Sequence, residues 1–297
     1  MSPFDWEPTF PPSSATVEFE FAARSRRGTS RSINEDHYLI ARMSRQLELL
    51  KTSLPEAPIS KQFDEHGYVM VVADGMGGVG AGEVASRLAL TTLVQMVLYF
   101  GKWNLRIDSL VAREIMGRAE RFYRHVDAAV ASESLTGPTS GLQTTLTALF
   151  GSGRDLFFAH VGHSRAYLCR TSELMRLTRD HTVGRQDRYG VSVAPMVDLN
   201  VAARDLKHII TETIGMGGKG GPAIDLERFR LDDQDVVLLC TNGITDALDE
   251  RVVAEVLSSG RPCDEMCARL VTLTEEAGGE DDATAIVGRY HIPPDAE

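Results

Sequence analysis

Several short acidic segments stand where apolar runs of this chain begin or end, and they hold most of the residues that could do chemistry. In Val71-Val72-Ala73-Asp74-Gly75-Met76-Gly77-Gly78 a strand-like run stops on an aspartate, and the glycines after it let the backbone turn sharply. Such a turn exposes carbonyl oxygens beside a carboxylate. Hard divalent cations take oxygen ligands of that kind, so Asp74 with the Gly75 carbonyl is a candidate metal seat. An isolated Asp-Gly pair is more often an ordinary turn. Here Asn34-Glu35-Asp36 precedes a second apolar run, Thr245-Asp246 follows a third, and Gly278-Gly279-Glu280-Asp281-Asp282 leads into a fourth. If these strand ends converge on one rim, the carboxylates repel: two like charges about 4 Å apart cost roughly 4 kcal/mol at an effective dielectric of about 20. Bound cations would relieve that repulsion.

The elements that must position these groups follow from periodicity. Residues 16–21 alternate, with Val17, Phe19 and Phe21 on one face and Glu18 and Glu20 on the other, as a half-buried strand requires. Further strands are expected at 37–41, 68–73, 143–150, 155–161, 165–170, 225–230, 236–241 and 283–290. Two long helical patterns, 82–100 and 109–132, fill the middle; in the second, Ile115, Ala119, Phe122, Val126 and Ala129 mark one apolar face. A last helix is expected over 262–277, with proline in its first turn. Strands, then helices, then strands suggest layered sheets flanked by helices. We expect one domain over 16–292, a loose leader at 1–15 and a tail at 293–297. Residues 42–67 are long for a connection and are read as a surface insertion.

Bulk properties narrow the function. The chain has 297 residues, 43% of them hydrophobic, enough for a sizeable core. A net charge of -11 would repel a polyanion, which argues against a nucleic-acid partner and suits a protein that gathers cations. The apolar stretch near 88–100 is interrupted by Thr91, Thr92 and Gln95 and is too short to span a bilayer. The start, MSPFDWEPTFPP, lacks the basic and apolar blocks of a secretory signal, so a cytoplasmic location with no membrane partner is expected. Cys169, Cys240, Cys263 and Cys267 read as buried thiols.

The sequence resembles the metal-dependent type 2C protein phosphatases, particularly their bacterial branch. The likeness runs from about Glu18 to Tyr290 and rests on RSINED from Arg31, VVADGMGGVGAGEVAS ending at Ser86, Thr144-Thr145-Leu146, AHVGHSRAYLCR from Ala159, LTRDHT from Leu177, LLCTNGITDAL from Leu238, and GGEDDAT from Gly278. The resemblance implies an α+β fold, a four-layer α/β/β/α sandwich of two antiparallel sheets between helix pairs. It implies a serine/threonine phosphoprotein phosphatase that uses a metal-activated water in line with phosphorus and forms no phosphoenzyme. Its substrates would be phosphoproteins, set against a Ser/Thr kinase, and the chain is expected to act as a monomer. Asp74 matches the aspartate that bridges two divalent cations, Gly75 a main-chain ligand, Glu35 and Asp36 the acidic pair on one ion, Asp281 a ligand of the other, and Arg31 the phosphate clamp. Segment 183–207 corresponds to the family's variable flap.

Two departures bear on the metals. The family's GDSR reads Gly162-His163-Ser164-Arg165 here, and its SDG reads Thr241-Asn242-Gly243. Asn242 can coordinate through its amide oxygen but lacks a full negative charge, which weakens that ion by an amount on the order of kcal/mol. His163, with Asp246, falls at an outer third metal position, where imidazole disfavours magnesium. We therefore expect manganese to be preferred over magnesium, with the third site weakened or absent. The plainer reading makes His163 a loop histidine packed on a strand end. The substitutions also define a competing function, a phosphatase-fold binding module that recognises phosphoproteins with little or no catalysis. A nucleotide cradle at 74–82 is disfavoured, since the lysine and hydroxyl of a P-loop are missing. Arg165, Asp180 and His181 are read as ties between strands, and His160 as a satisfied core histidine.

Overall fold

Runs such as 68–73 and 236–240 are apolar at nearly every position because their strands are covered on both faces. Leu239 points to the centre of the molecule and its neighbour Leu238 to an outer layer; Val72 and Val71 divide in the same way. In this computed structural model, residues 17–48, 50–51, 62–78, 80–102, 107–137, 139–183, 209–217 and 220–292 are described.

The strands form two antiparallel sheets. One has the order β1 (Glu18–Arg26), β11 (Ala283–His291), β10 (Val236–Cys240), β7 (Arg165–Arg170) and β8 (Glu173–Arg176). The other has β2 (Asp36–Glu48), β3 (Gln62–Met76), β5 (Leu146–Ser152), β6 (Asp155–Val161) and β9 (Asp225–Arg230), and short β4 (Gln143–Thr144) pairs with Gly75 and Met76 at the end of β3. Their inner faces meet in a central layer that includes Met70, Val72, Leu149, Phe158, Leu168, Val237, Leu239 and Ile286. Truncating a fully buried side chain there, for instance Leu239→Ala, costs about 2–5 kcal/mol.

Helices α1 (Ala81–Phe100) and α2 (Ser109–Thr136) cover the outside of the second sheet, placing Ala85, Ala89, Leu93, Tyr123 and Val126 on Val71, Ala73, Leu146 and Val161. The start of α2 is fixed by Asp108, whose carboxylate accepts from the amides of Leu110 and Val111, both at 2.8 Å. Helices α3 (Asn242–Ala247), α4 (Glu250–Leu257) and α5 (Cys263–Glu276) lie over the first sheet. The result is the expected four-layer α/β/β/α sandwich. The four cysteines are free and buried, and burial pushes the thiols of Cys240, Cys263 and Cys267 up to about 12.

Several boundaries differ from the sequence reading. Strands β2 and β3 run on into the segment read as an insertion, pairing as far as Glu48 with Gln62. Continuous cross-strand pairing carries the hairpin past the end of the apolar pattern. Strand β8 and helices α3 and α4 were not anticipated, since each is too short to show a period. The leader, the tail and all but the first residue of the flap fall outside the described residues.

Behind β3, between the second sheet and the α1–α2 pair, lies a cavity of about 460 Å³ walled mainly by hydrocarbon. Small side chains face one another there: Ala41, Ala148 and Ala159 from the sheet and Ala119 from α2.

Candidate metal centre

The antiparallel register of β2 and β3 sets Asp36 directly opposite Asp74. Two carboxylates across a strand pair repel, and a fold keeps that arrangement only where something else holds it. The main chain of Asp74 is pinned on both sides. Its amide donates to Thr145 Oγ1 at 2.9 Å, and its carbonyl accepts from the Thr145 amide and from Thr144 Oγ1, each at 2.9 Å. Thr145 Oγ1 in turn shares a 2.8 Å hydrogen bond with Ser164 Oγ. Gly75 donates its amide to the Glu35 carbonyl at 3.2 Å and lies so close to helix α1 that a Cβ there would stand 2.0 Å from the Gly82 carbonyl oxygen. No side chain fits at that position.

Asp36 is buried, and its Oδ2 accepts from Thr241 Oγ1 at 2.8 Å and Thr284 Oγ1 at 2.7 Å. Its Oδ1 is buried with no hydrogen-bond partner. An unmet anionic oxygen inside a protein is costly. Burial pushes the Asp36 carboxyl up to about 7, with the threonine hydroxyls pulling it down and the charges of Asp282 and Asp281 adding to the rise. Asp74 is raised well above the usual carboxylate range by burial, then by Asp36 and Asp281. Glu35 is raised by burial against the opposing pull of Arg31.

Arg31 joins the remaining groups. Its Nε donates to Asp281 Oδ1 at 2.8 Å and its Nη1 to Glu35 Oε2 at 3.4 Å, while its side chain stays 42% exposed. The bond to Asp281 raises the guanidinium above its ordinary value. The structure therefore gathers Arg31, Glu35, Asp36, Asp74, Gly75 and Asp281 at one end of the sheets. Asn242 follows Thr241 into the first turn of α3, and its amide donates to Asp246 Oδ2 at 3.2 Å. His163 is buried beside Asp180, with Nε2 3.6 Å from Oδ2. His163 and Asp246 are thus held by different partners.

Arg165 makes a two-pronged bond to Asp180 at 3.0 and 2.8 Å, Arg176 bonds the same carboxylate, and the His181 amide donates to the Gly162 carbonyl at 2.9 Å. These are ties between strands and turns, as expected. His160 is likewise a core histidine, its two ring nitrogens within 2.8 Å of Thr147 Oγ1 and 2.9 Å of the Arg179 carbonyl.

Sequence reasoning missed the groups that hold the site in shape. Asp282 is buried and accepts from the Gly28 amide through Oδ1 and the Glu35 amide through Oδ2, both at 2.7 Å, and so draws the Arg31 loop onto the start of β11. Thr241 and Thr284 clamp Asp36. The available signal was position: Asp282 stands next to Asp281, and neighbours at a strand start point to opposite sides.

The donor set fits hard divalent cations. It consists of carboxylates, a main-chain carbonyl and an amide oxygen, and one buried carboxylate oxygen has no partner. Among the described residues no three Asp, Glu, His or Cys side chains close on a single point. The described residues alone make no complete cage, and water would supply other ligands, as small hard cations accept.

A family model described as protein phosphatase 2C matches residues 38–187. The serine/threonine protein phosphatase PstP of Mycobacterium tuberculosis is 28% identical over 280 residues, covering 92% of this chain; the chain spans only 45% of that protein's length. The serine/threonine phosphatase stp of Listeria monocytogenes is 30% identical over 223 residues, 74% of this chain and 83% of the relative. Among solved structures, the catalytic domain of PstP in complex with two manganese ions superimposes with a TM-score of 0.68 at 26% identity, covering 93% of this chain and 100% of that one. Among the described residues no helix is long and apolar enough to cross a membrane.

Proposed function

The chain belongs to the protein phosphatase 2C family, and from that membership we propose that it is a metal-dependent phosphatase acting on phosphoserine and phosphothreonine in proteins. The observation that carries this reading is the facing pair of Asp36 and Asp74, both raised by burial and by neighbouring carboxylates, with a buried Asp36 oxygen that nothing meets. Glu35, Asp36, Asp74, Gly75, Asn242 and Asp281 would hold two divalent cations. When bound, such ions lower the pKa of water and share the charge that develops on the phosphoryl group. The manganese-bound PstP structure supports a pair of ions.

The chain's own residues then have separable tasks. Asp74 stays in place because Thr144 and Thr145 fix its main chain on both sides. Ionised, it offers a carboxylate opposite Asp36 in the strand register. Thr241 and Thr284 hold Asp36 by one oxygen and leave the other, buried, without a partner. Arg31 is the substrate clamp: its half-exposed guanidinium has planar donors that match phosphate in pairs. Its Nε and Nη1 now serve Asp281 and Glu35, and a phosphoryl group bound along that edge would take the place of those two carboxylates.

Manganese is the preferred ion in this proposal. Magnesium demands near-ideal octahedral geometry and full oxygen donation, and Asn242 supplies one charge less than a carboxylate. His163 beside Asp180 and Asp246 beside the Asn242 amide each have partners within the protein, and two ions are the working number of this proposal. Phosphorylated proteins made by a Ser/Thr kinase are the proposed substrates, with the chain acting as a cytoplasmic monomer.

The test is phosphate release from phosphothreonine, phosphoserine and phosphotyrosine peptides by the purified chain, with manganese, magnesium or chelator. Manganese-dependent turnover of the phosphothreonine and phosphoserine peptides above the phosphotyrosine one is expected. The Asn242–Asp246 hydrogen bond supports a second reading, a phosphoprotein-binding module of weak activity. Tight phosphopeptide binding without turnover in any metal would select it.

A further inference from the structure

The cavity behind β3 opens beside a second chamber of different character. The first, about 460 Å³, lies within the size range of small-molecule sites and opens to the surface beside exposed Leu98. Its described walls carry no acidic side chain, and Leu39, Val69, Val97, Ile115, Phe122 and Phe157 are typical of them. The second chamber, about 290 Å³, is lined by Lys102, Arg118, Arg121 and His125, and among the described residues Glu114 is its one carboxylate. Lys102, Arg118 and Phe122 border both chambers, so the two share a wall.

The charges do not balance within the second chamber. Glu114 receives Lys102 at 3.4 Å and Arg118 at 3.0 Å, so a single carboxylate serves two cations while Arg121 adds a third. Arg118 is nearly enclosed, its side chain 11% exposed, and is held in place by the Lys102 carbonyl at 3.0 Å. A rigid, partly desolvated guanidinium next to surplus positive charge favours an anion. Exposed Leu98 on the wall of the first chamber and Phe100 on that of the second give the site an apolar margin.

We propose that the two chambers form one binding site for a single-chain anionic amphiphile, with the hydrocarbon chain in the apolar chamber and a carboxylate or phosphate head against Lys102, Arg118 and Arg121. The site is separate from the carboxylate rim, although Val69 and Val71 of its wall precede Asp74 on β3. Shape follows from the sequence: alanines at 41, 119, 148 and 159 stand where larger residues would close the layer.

The experiment is calorimetric titration of the purified full chain with dodecanoate, dodecyl phosphate, dodecanol and dodecyltrimethylammonium, all below their micelle-forming concentrations. Saturable one-to-one binding of both anions is expected, at least about tenfold tighter than dodecanol or the cation. Ala148→Phe, which fills the apolar chamber, should weaken both anions by about tenfold or more. Because Ala148→Phe can disturb packing, the surface variant Lys102→Glu serves as a second probe: it should bring dodecanoate down to the level of dodecanol while the melting temperature holds. Tighter binding of dodecyl phosphate than of dodecanoate assigns the head to a phosphate, and equal binding assigns it to anions in general; both support the site. No saturable binding, as when the chain's own residues fill the space, overturns the proposal. So does equal affinity for dodecanoate and dodecanol, or binding that neither substitution changes.

Discussion

Two knots of charge stand at strand ends of this molecule with opposite balances. At the turn after β8, the buried carboxylate of Asp180 meets Arg165, Arg176 and His163. At the rim between β2 and β3, Glu35, Asp36, Asp74, Asp281 and Asp282 share Arg31. The first knot satisfies its anion from within the protein, and its role is to tie the sheet together. The second sets five carboxylates around one guanidinium, and burial first, then the neighbouring carboxylates, raise the carboxyls of Asp36 and Asp74. Residue types alone do not separate a tie from a site, since both contain Asp, Arg and buried polar atoms. The balance of charge does, because a buried anionic excess has to be relieved by protons or by cations from solution.

The sharpest way to break the comparison is to remove one carboxylate from each knot. Asp74→Asn should lower metal-dependent phosphatase activity at least ~10³-fold, about 4 kcal/mol of barrier. In chelator its melting temperature should hold or rise, because the repulsion facing Asp36 is relieved. Activity within tenfold of wild type would place the chemistry elsewhere. Asp180→Ala should behave in the opposite manner, costing about 3 kcal/mol in urea unfolding because two guanidiniums are left without their anion. Its turnover per folded molecule should stay close to wild type. A loss of activity with unchanged stability would move Asp180 into the site.

The same contrast explains what could be read from the chain. Acidic turns after apolar runs, such as Ala73-Asp74-Gly75, announce themselves because strand and turn signals are local. The layer order was legible for the same reason: long helices and alternating or continuous apolar runs have periods that a window can detect. The Asp36–Asp74 pairing and the closing of Asp282 over the Gly28 and Glu35 amides depend on register between segments far apart in sequence, which no local pattern encodes. Helix α3 escaped notice because six residues carry no period, and with it went the hydrogen bond from Asn242 to Asp246. His163 lies beside Asp180, a neighbour that no local pattern announces.

A milder test uses protons. Burial, then the neighbouring His181, push the His160 imidazole down to about 3 from an ordinary 6.5. The folded chain therefore holds it neutral, while the unfolded chain takes up a proton below about 6.5. Stability from this group is complete above that pH and is lost on acidification by about 1.4 kcal/mol per unit until the folded value is reached. Urea unfolding of wild type and His160→Gln between pH 7 and 5 should show this: wild type should lose stability more steeply. Parallel profiles would mean that His160 does not set the slope.

The smallest expected effect probes the weakest part of the anionic rim. Asn242→Asp restores a charge at the start of α3, so the manganese concentration for half-maximal activity should fall roughly fivefold, about 1 kcal/mol. The substitution also replaces the amide that donates to Asp246 with a second carboxylate, so without metal the variant should melt slightly lower than wild type, and with manganese the difference should vanish or reverse. That crossover separates a ligand from a bystander. A residue acting only through Asp246 would lower the melting temperature equally in both conditions and leave the manganese requirement where it was.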